Sequence, residues 1–141
     1  MPDFELGYFL VESALNEHAE IFKDYKLHED RTHAYLAECV REGLALIAED
    51  EGEFIGVLLA SVQDHIFMDV SLAEVGLVYV MPEHRKQGAG VLLLKEYIRW
   101  CHNIDIRPTM TTSCGLRLPG LDRFIKTFGF KSIGQNYLMA S

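Results

Sequence analysis

The stretch Val78-Tyr79-Val80-Met81-Pro82-Glu83-His84-Arg85-Lys86-Gln87-Gly88-Ala89-Gly90-Val91-Leu92-Leu93 decides how the rest of the chain is read. Leu72 to Val80, with β-branched Val75, Val78 and Val80 beside Tyr79, predicts a buried strand that Pro82 ends. Val91 to Cys101 predicts a helix, because Leu92, Leu93, Glu96, Tyr97 and Trp100 recur at the spacing of one partly buried face. Between them lies a loop of small and basic residues. Gly88 and Gly90 let the backbone turn sharply and approach a ligand, and the first N–H groups of the following helix have no intrahelical acceptor. Those donors and the positive end of the helix dipole point the same way, which makes the helix start an anion site, with Arg85 and Lys86 adding charge.

Spacing separates the phosphate loops that share this logic. No lysine followed by Ser or Thr stands after Gly88 or Gly90, so the loop is not G-x-x-x-x-G-K-[ST]. A dinucleotide fingerprint needs a small residue where this chain has Leu93, so that reading fails too.

Outward from the loop, Tyr8, Val11, Leu15, Ala19 and Phe22 predict an amphipathic helix over Tyr8 to Phe22, with Glu12, Glu17 and Glu20 opposite. A second helix is expected from an Asp30 N-cap to a stop at Gly43. Leu44 to Glu49 and Phe54 to Val62, joined by Asp50-Glu51-Gly52-Glu53, read as a β-hairpin. Pro108 to Ser113 reads as a short strand, Pro119 to Phe128 as a helix stopped by Gly129, and Phe130 to Met139 as a final strand or hairpin. The order α-α-β-β-β-α-β-α-β, with no repeat or linker, predicts one α/β domain over 1–141, its sheet antiparallel early and parallel late.

Composition narrows the function. The 141 residues are 49% apolar and 24% charged, enough for a single core. The net charge of −8 argues against a nucleic-acid or anionic-membrane partner. It is unevenly spread: 18 acidic against 4 basic residues up to Glu83, and 3 against 9 from His84 onward. The longest apolar, charge-free run, Phe54 to Gln63, is far short of the roughly 20 residues of a membrane span. Met1 to Glu5 has no signal-peptide pattern, so a cytoplasmic location is expected. Cys39, Cys101 and Cys114 are odd in number and show no C-x-x-C spacing, and the six histidines form no metal motif. No metal is expected.

Arg85-Lys86-Gln87-Gly88-Ala89-Gly90 fits R-x-x-G-x-G, directly after a strand ending Tyr79-Val80-Met81-Pro82-Glu83. This resembles the acetyl-CoA-binding motif of the GNAT family of N-acetyltransferases, whose pattern is Q/R-x-x-G-x-G/A. Phe128-Gly129-Phe130-Lys131 is similar to the family's Gly-Phe turn before its last strand. The family's usual first strand is not evident in Met1 to Leu6. The resemblance implies a single-domain GNAT fold, a mixed sheet with helices on both faces. It also implies acetyl-CoA as acyl donor and an amine as acceptor, and it leaves open a homodimer. Pantetheine would lie along the backbone of Val78, Tyr79 and Val80. The diphosphate would sit on the N–H groups of Gln87, Gly88, Ala89, Gly90 and Val91, with Arg85 or Lys86 as counter-charge.

Acetyl transfer to an amine needs a neutral nitrogen, whereas a lysine-like amine has a pKa of about 10.4. A base is therefore required, and positioned carboxylates serve as such. Glu74 is the candidate: it lies 14 residues before Gly88, the offset of the general-base glutamate in the histone-acetylating branch, and a regular strand sets it on one face with Gly76, Val78 and Val80. An exposed strand-end glutamate is the plainer alternative. By resemblance, the Val80 N–H would stabilise the oxyanion. Ile125 and Leu118 stand where the family often has a proton-donating Tyr and an Asn, so no general acid is assigned. That departure keeps a second reading open, a non-catalytic acyl-CoA-binding sensor or assembly module.

Overall fold

The computed structural model describes residues 4–18, 25–86, 88–111, 121–134 and 137–140. Two helices come first, α1 (Phe4–His18) and α2 (Glu29–Glu42), followed by the strands β1 (Leu44–Asp50), β2 (Glu53–Asp64) and β3 (Ser71–Val80). Then come a 3-10 turn (Pro82–His84), α3 (Ala89–Asn103), a two-residue β4 (Arg107–Pro108) and α4 (Leu121–Lys126). The strands form one sheet in the order β1-β2-β3-β4. β1, β2 and β3 pair antiparallel and β4 joins β3 in parallel, so the mixed sheet expected from the element order is present.

β2 shows why the sheet is covered on both sides. Val57 and Leu59 face Leu10 and Ala14 of α1 and Leu36 and Cys39 of α2. Leu58 and Ala60, alternating with them, face Leu93, Leu94, Tyr97 and Cys101 of α3. Each large apolar side chain so buried contributes about 1.5–3 kcal/mol. A two-residue loop, Glu51-Gly52, with φ of 49° and 83°, closes the β1–β2 hairpin in a twist that suits the strands.

β3 is not a regular strand. Leu59 pairs with Leu77 but the next β2 residue, Ala60, pairs with Val75, which leaves Gly76 as an extra residue. Ala73 and Val75 pack with α3, whereas Leu77 and Tyr79 pack with α1 and α2. The bulge thus swaps the faces of odd and even residues. A Cβ at residue 76 would collide with the Tyr35 hydroxyl, so only glycine admits the Tyr35 ring here. That hydroxyl also bonds Cys39 and Ser61, and burial above all holds its pKa well up.

Several element boundaries differ from expectation. α1 starts at Phe4, and residues 19–22 of the expected helix lie outside the described residues. The N-cap of α2 is His28, not Asp30: the His28 Nδ1 accepts from the Arg31 N–H at 3.1 Å, leaving Glu29 and Asp30 in the first turn where the dipole favours them. α3 begins at Ala89, two residues early. β4 is Arg107–Pro108 rather than Pro108 to Ser113. Pro119 lies outside the described residues, as do Ser113, Cys114, Arg117 and Leu118. Among the described residues of 130–139 no strand forms, which corrects the expected final strand.

Candidate active site

The parallel pairing of β3 with β4 covers only Leu72 and Ala73. Thr109 closes this end, its N–H and hydroxyl both donating to the Ala73 carbonyl, at 2.8 and 2.6 Å. Beyond Ala73 the edge of β3 remote from β2 has no strand partner among the described residues. Which peptides face that edge follows from one bond: the Met81 N–H donates to the Ile55 carbonyl at 2.8 Å, so Met81 faces β2. The N–H and C=O of one strand residue point to the same side and alternate along the chain. Tyr79 therefore faces Val57, and Val78 and Val80 face the open edge. Tyr79 was expected to bind cofactor through its backbone together with these two. Its peptide is instead used inside the sheet.

After Pro82–His84 the chain passes through Lys86 at φ 72° and Gly88 at φ 88°, and Gly88 caps α3 in the left-handed region that suits glycine. The first intrahelical bond is Leu92 N–H to Gly88 C=O at 3.0 Å. The N–H groups of Gly88, Ala89, Gly90 and Val91 thus precede the helical ladder, and the first turn carries no acidic residue. A Cβ on Gly90 would lie against Phe124 and Val80, at 3.8 and 3.9 Å, in ordinary contact with these side chains. Unpaired donors and a positive helix end fit an anionic group such as a diphosphate. Gln87 lies outside the described residues.

The two basic residues of the loop behave differently. Lys86 is exposed. Arg85 is half-buried and makes a bidentate pair with Glu17 of α1, both bonds at 2.8 Å, while its Nε donates to the Val80 carbonyl at 2.8 Å. The guanidinium also lies 5.4 Å from the centre of the Tyr79 ring. Burial, and then the hydrogen bond to the Glu17 carboxylate, push the Tyr79 phenol up to about 12. Arg85 was expected as a counter-charge for diphosphate, but Glu17 already neutralises it. Lys86 is the cation the loop leaves exposed.

Residues 10–130 match the Acetyltransferase (GNAT) family. The chain belongs to that family. An uncharacterised N-acetyltransferase of Schizosaccharomyces pombe is 34% identical over 95 residues, 67% of this chain and 56% of that protein. The match thus spans just over half the length of this relative. Among solved structures, a ribosomal-protein-alanine N-acetyltransferase from Brucella melitensis biovar Abortus 2308 superposes with a TM-score of 0.68 at 14% identity, over 99% of this chain and 94% of that one. An aminoglycoside antibiotic 6'-N-acetyltransferase from Acinetobacter haemolyticus gives 0.59 at 18% identity, over 92% and 93%. A transcriptional regulator from Bacillus halodurans C-125 gives 0.69 at 17%, over 100% and 96%. At these identities the likeness is one of fold, and it is the GNAT fold.

Within that fold, Glu74 is exposed and stands opposite Ser61 of β2. It alternates with Ala73 and Val75, so it lies on the α1/α2 face with Gly76, whereas Val78 and Val80 pack with α3. The bulge therefore breaks the shared face expected for Glu74, Val78 and Val80. Six residues at about 3.3 Å each also put Val80 roughly 20 Å from Glu74, too far for both to act on one carbonyl carbon. A groove of about 380 Å³ between β1 and the start of α3 shares only Ala89 with the expected site, and Glu49, Asp50 and Glu96 on its wall disfavour an anion. No cluster of three or more metal-ligating side chains is found among the described residues, and no helix among them is long and apolar enough to cross a membrane.

The isolated Gly76 in a strand pattern is itself a bulge signal, one that the alternation of residues along β3 does not carry. Glu17 carries no such signal, because its partner is 68 residues away.

Proposed function

We propose that this chain transfers an acetyl group from acetyl-CoA to a primary amine, of a small cation or of a peptide, within a ternary complex. The observation that carries the reading is the continuity of the open β3 edge, with Val78 and Val80 facing outward, into the acid-free N-terminus of α3 at Gly88. A diphosphate on the N–H groups of Gly88 to Val91 lets an extended pantetheine run back along Val80 and Val78 toward the bulge. That places the thioester near Gly76, beside Glu74. In this arrangement Val80 binds the arm, and the Val78 N–H, the first outward donor past the bulge, replaces it as the oxyanion donor.

Glu74, acting through water, takes a proton from the acceptor ammonium. The neutral nitrogen attacks the thioester carbon, its C–N bond forms, and the C–S bond breaks to release the thiolate of CoA. The nitrogen then loses its second proton, and the thiolate leaves as the thiol once protonated from solvent. The 18 acidic residues up to Glu83 favour a cationic acceptor by steering, and the basic remainder suits the polyanionic donor.

Ile125 cannot donate a proton, and this favours the second reading, a GNAT domain that binds acyl-CoA without turnover. Calorimetric titration with acetyl-CoA, followed by a thiol-release assay over a panel of amines, separates them. Binding with amine-dependent thiol release is expected. Binding without release across small amines, polyamines and basic peptides points to the sensor, and absence of binding sinks both.

A further inference from the structure

The geometry points to Arg85, held by Glu17, as a positioning residue for the pantetheine-binding edge of β3 rather than a ligand of the cofactor's diphosphate. The inference rests on the proposed binding of pantetheine along that edge. Three bonds define it. Two fork bonds at 2.8 Å fix the guanidinium plane on the Glu17 carboxylate, and the Nε bond at 2.8 Å fixes the Val80 carbonyl on that plane. The Tyr79 hydroxyl bonds the same carboxylate and the Tyr79 ring lies under the guanidinium, so Glu17 is itself held from two sides.

Val80 is the last residue of β3, and on the edge remote from β2 its carbonyl has no strand partner among the described residues. With its carbonyl committed to Arg85, the outward groups left to the donor are the Val80 N–H and the Val78 C=O for the arm and the Val78 N–H for the thioester oxygen. That restriction sets a single register for the arm, and hence the place along β3 where the thioester stops. Lysine cannot substitute: it is a point charge with no planar fork and cannot hold Glu17 and Val80 together. Helix α1 thereby acts on the cofactor edge through one carboxylate.

The test compares two ligands by calorimetry: acetyl-CoA, and adenosine 3′-phosphate 5′-diphosphate, which has the phosphates but no arm. Arg85→Lys and Glu17→Gln are each expected to weaken acetyl-CoA about tenfold, the scale of one lost charge-assisted hydrogen bond. Affinity for the nucleotide should stay within about twofold, and the double variant should be no weaker than either single one. The Val78 and Val80 amide resonances should shift in both variants. Equal weakening of the two ligands would identify Arg85 as a diphosphate ligand and overturn the inference, and so would wild-type affinity for acetyl-CoA in Arg85→Lys. Should Glu17→Gln not fold, Arg85→Lys alone decides, since it keeps the charge and the carboxylate. Failure of the wild-type chain to bind acetyl-CoA is a separate outcome that removes the proposed function, and this inference with it.

Discussion

The Tyr97 hydroxyl donates to the Thr109 carbonyl at 2.7 Å and lies 3.2 Å from the Thr109 N–H, while Thr109 bonds the Ala73 carbonyl twice. This pins α3 and the chain after β4 to the point where β3 and β4 part. Burial, and secondarily the nearby Cys101, hold the Tyr97 phenol far above its usual range, so it stays a donor. Tyr97→Phe leaves the half-buried Thr109 carbonyl without this partner. Denaturant titration should show a loss of about 1–3 kcal/mol, and hydrogen exchange at Thr109 should quicken. An unchanged midpoint with unchanged exchange would show that the junction of β3 and β4 is held by something else.

Gly88 and Gly90 look alike in the sequence motif but differ in the structure. Gly88 has φ 88°, whereas a Cβ on Gly90 meets only Val80 and Phe124, at 3.9 and 3.8 Å. Gly88→Ala should cost about 1–2 kcal/mol of strain and lower acetyl-CoA affinity as the helix start shifts. Gly90→Ala should fold normally and bind nearly as the wild type. Thermal melts paired with calorimetry check both, and equal behaviour of the two variants would contradict this assignment.

Gly76→Ala drives a methyl group into the Tyr35 hydroxyl, and relief requires Tyr35 to give up Ser61 or Cys39. Overpacking of this kind costs about 1–3 kcal/mol. The variant should unfold at lower denaturant concentration, and the Tyr35 ring resonances should move. Wild-type stability would mean that the ring slides aside freely and that the bulge does not depend on glycine.

The sequence carried the fold because its elements declare themselves locally: the Leu44 to Val62 hairpin, the Val75 to Val80 strand and the Gly88 helix start each rest on neighbouring residues. The R-x-x-G-x-G spacing likewise located the anion-binding loop. What escaped was everything decided by contact at a distance. A bulge at Gly76 reverses the faces of β3, so reasoning by alternation put Glu74 with Val78 and Val80 when they lie on opposite sides. Glu17 reads as one of several acids on a helix until the fold brings it to Arg85. His28 displaced Asp30 as a cap because the helix began two residues earlier, a boundary that pattern alone sets loosely.

Tyr79 gives a pH signature. Its folded pKa, about 12, exceeds the ordinary tyrosine value of about 10, so the folded state holds the proton more tightly. Its stabilising contribution is complete below about pH 10 and is lost as pH rises through about 12. Stability measured by urea titration should therefore fall over that window, and Tyr79→Phe should show a shallower fall. Part of the fall should remain, because Tyr35 and Tyr97 are shifted in the same direction. Identical slopes in the variant and the wild type would place the Tyr79 phenol outside the Glu17 network.

Glu74 bears the proposed base role. It stands next to Ala73, where β3 is still held by Thr109, and two residues before Gly76, where the edge has opened. Glu74 thus stands where the open edge of β3 begins, on the face covered by α1 and α2. Glu74→Gln keeps the size of the side chain and removes its basicity, so acetyl-CoA affinity should stay within about twofold while turnover at neutral pH falls about 100-fold or more. Raising the pH toward the amine's own pKa supplies neutral acceptor without a base, so the deficit should shrink as pH rises. That recovery separates a lost base from a damaged cleft, which would leave the deficit constant. Thiol-release rates over a pH series, at saturating acetyl-CoA, read the difference, and a variant as fast as the wild type at neutral pH removes Glu74 from the mechanism.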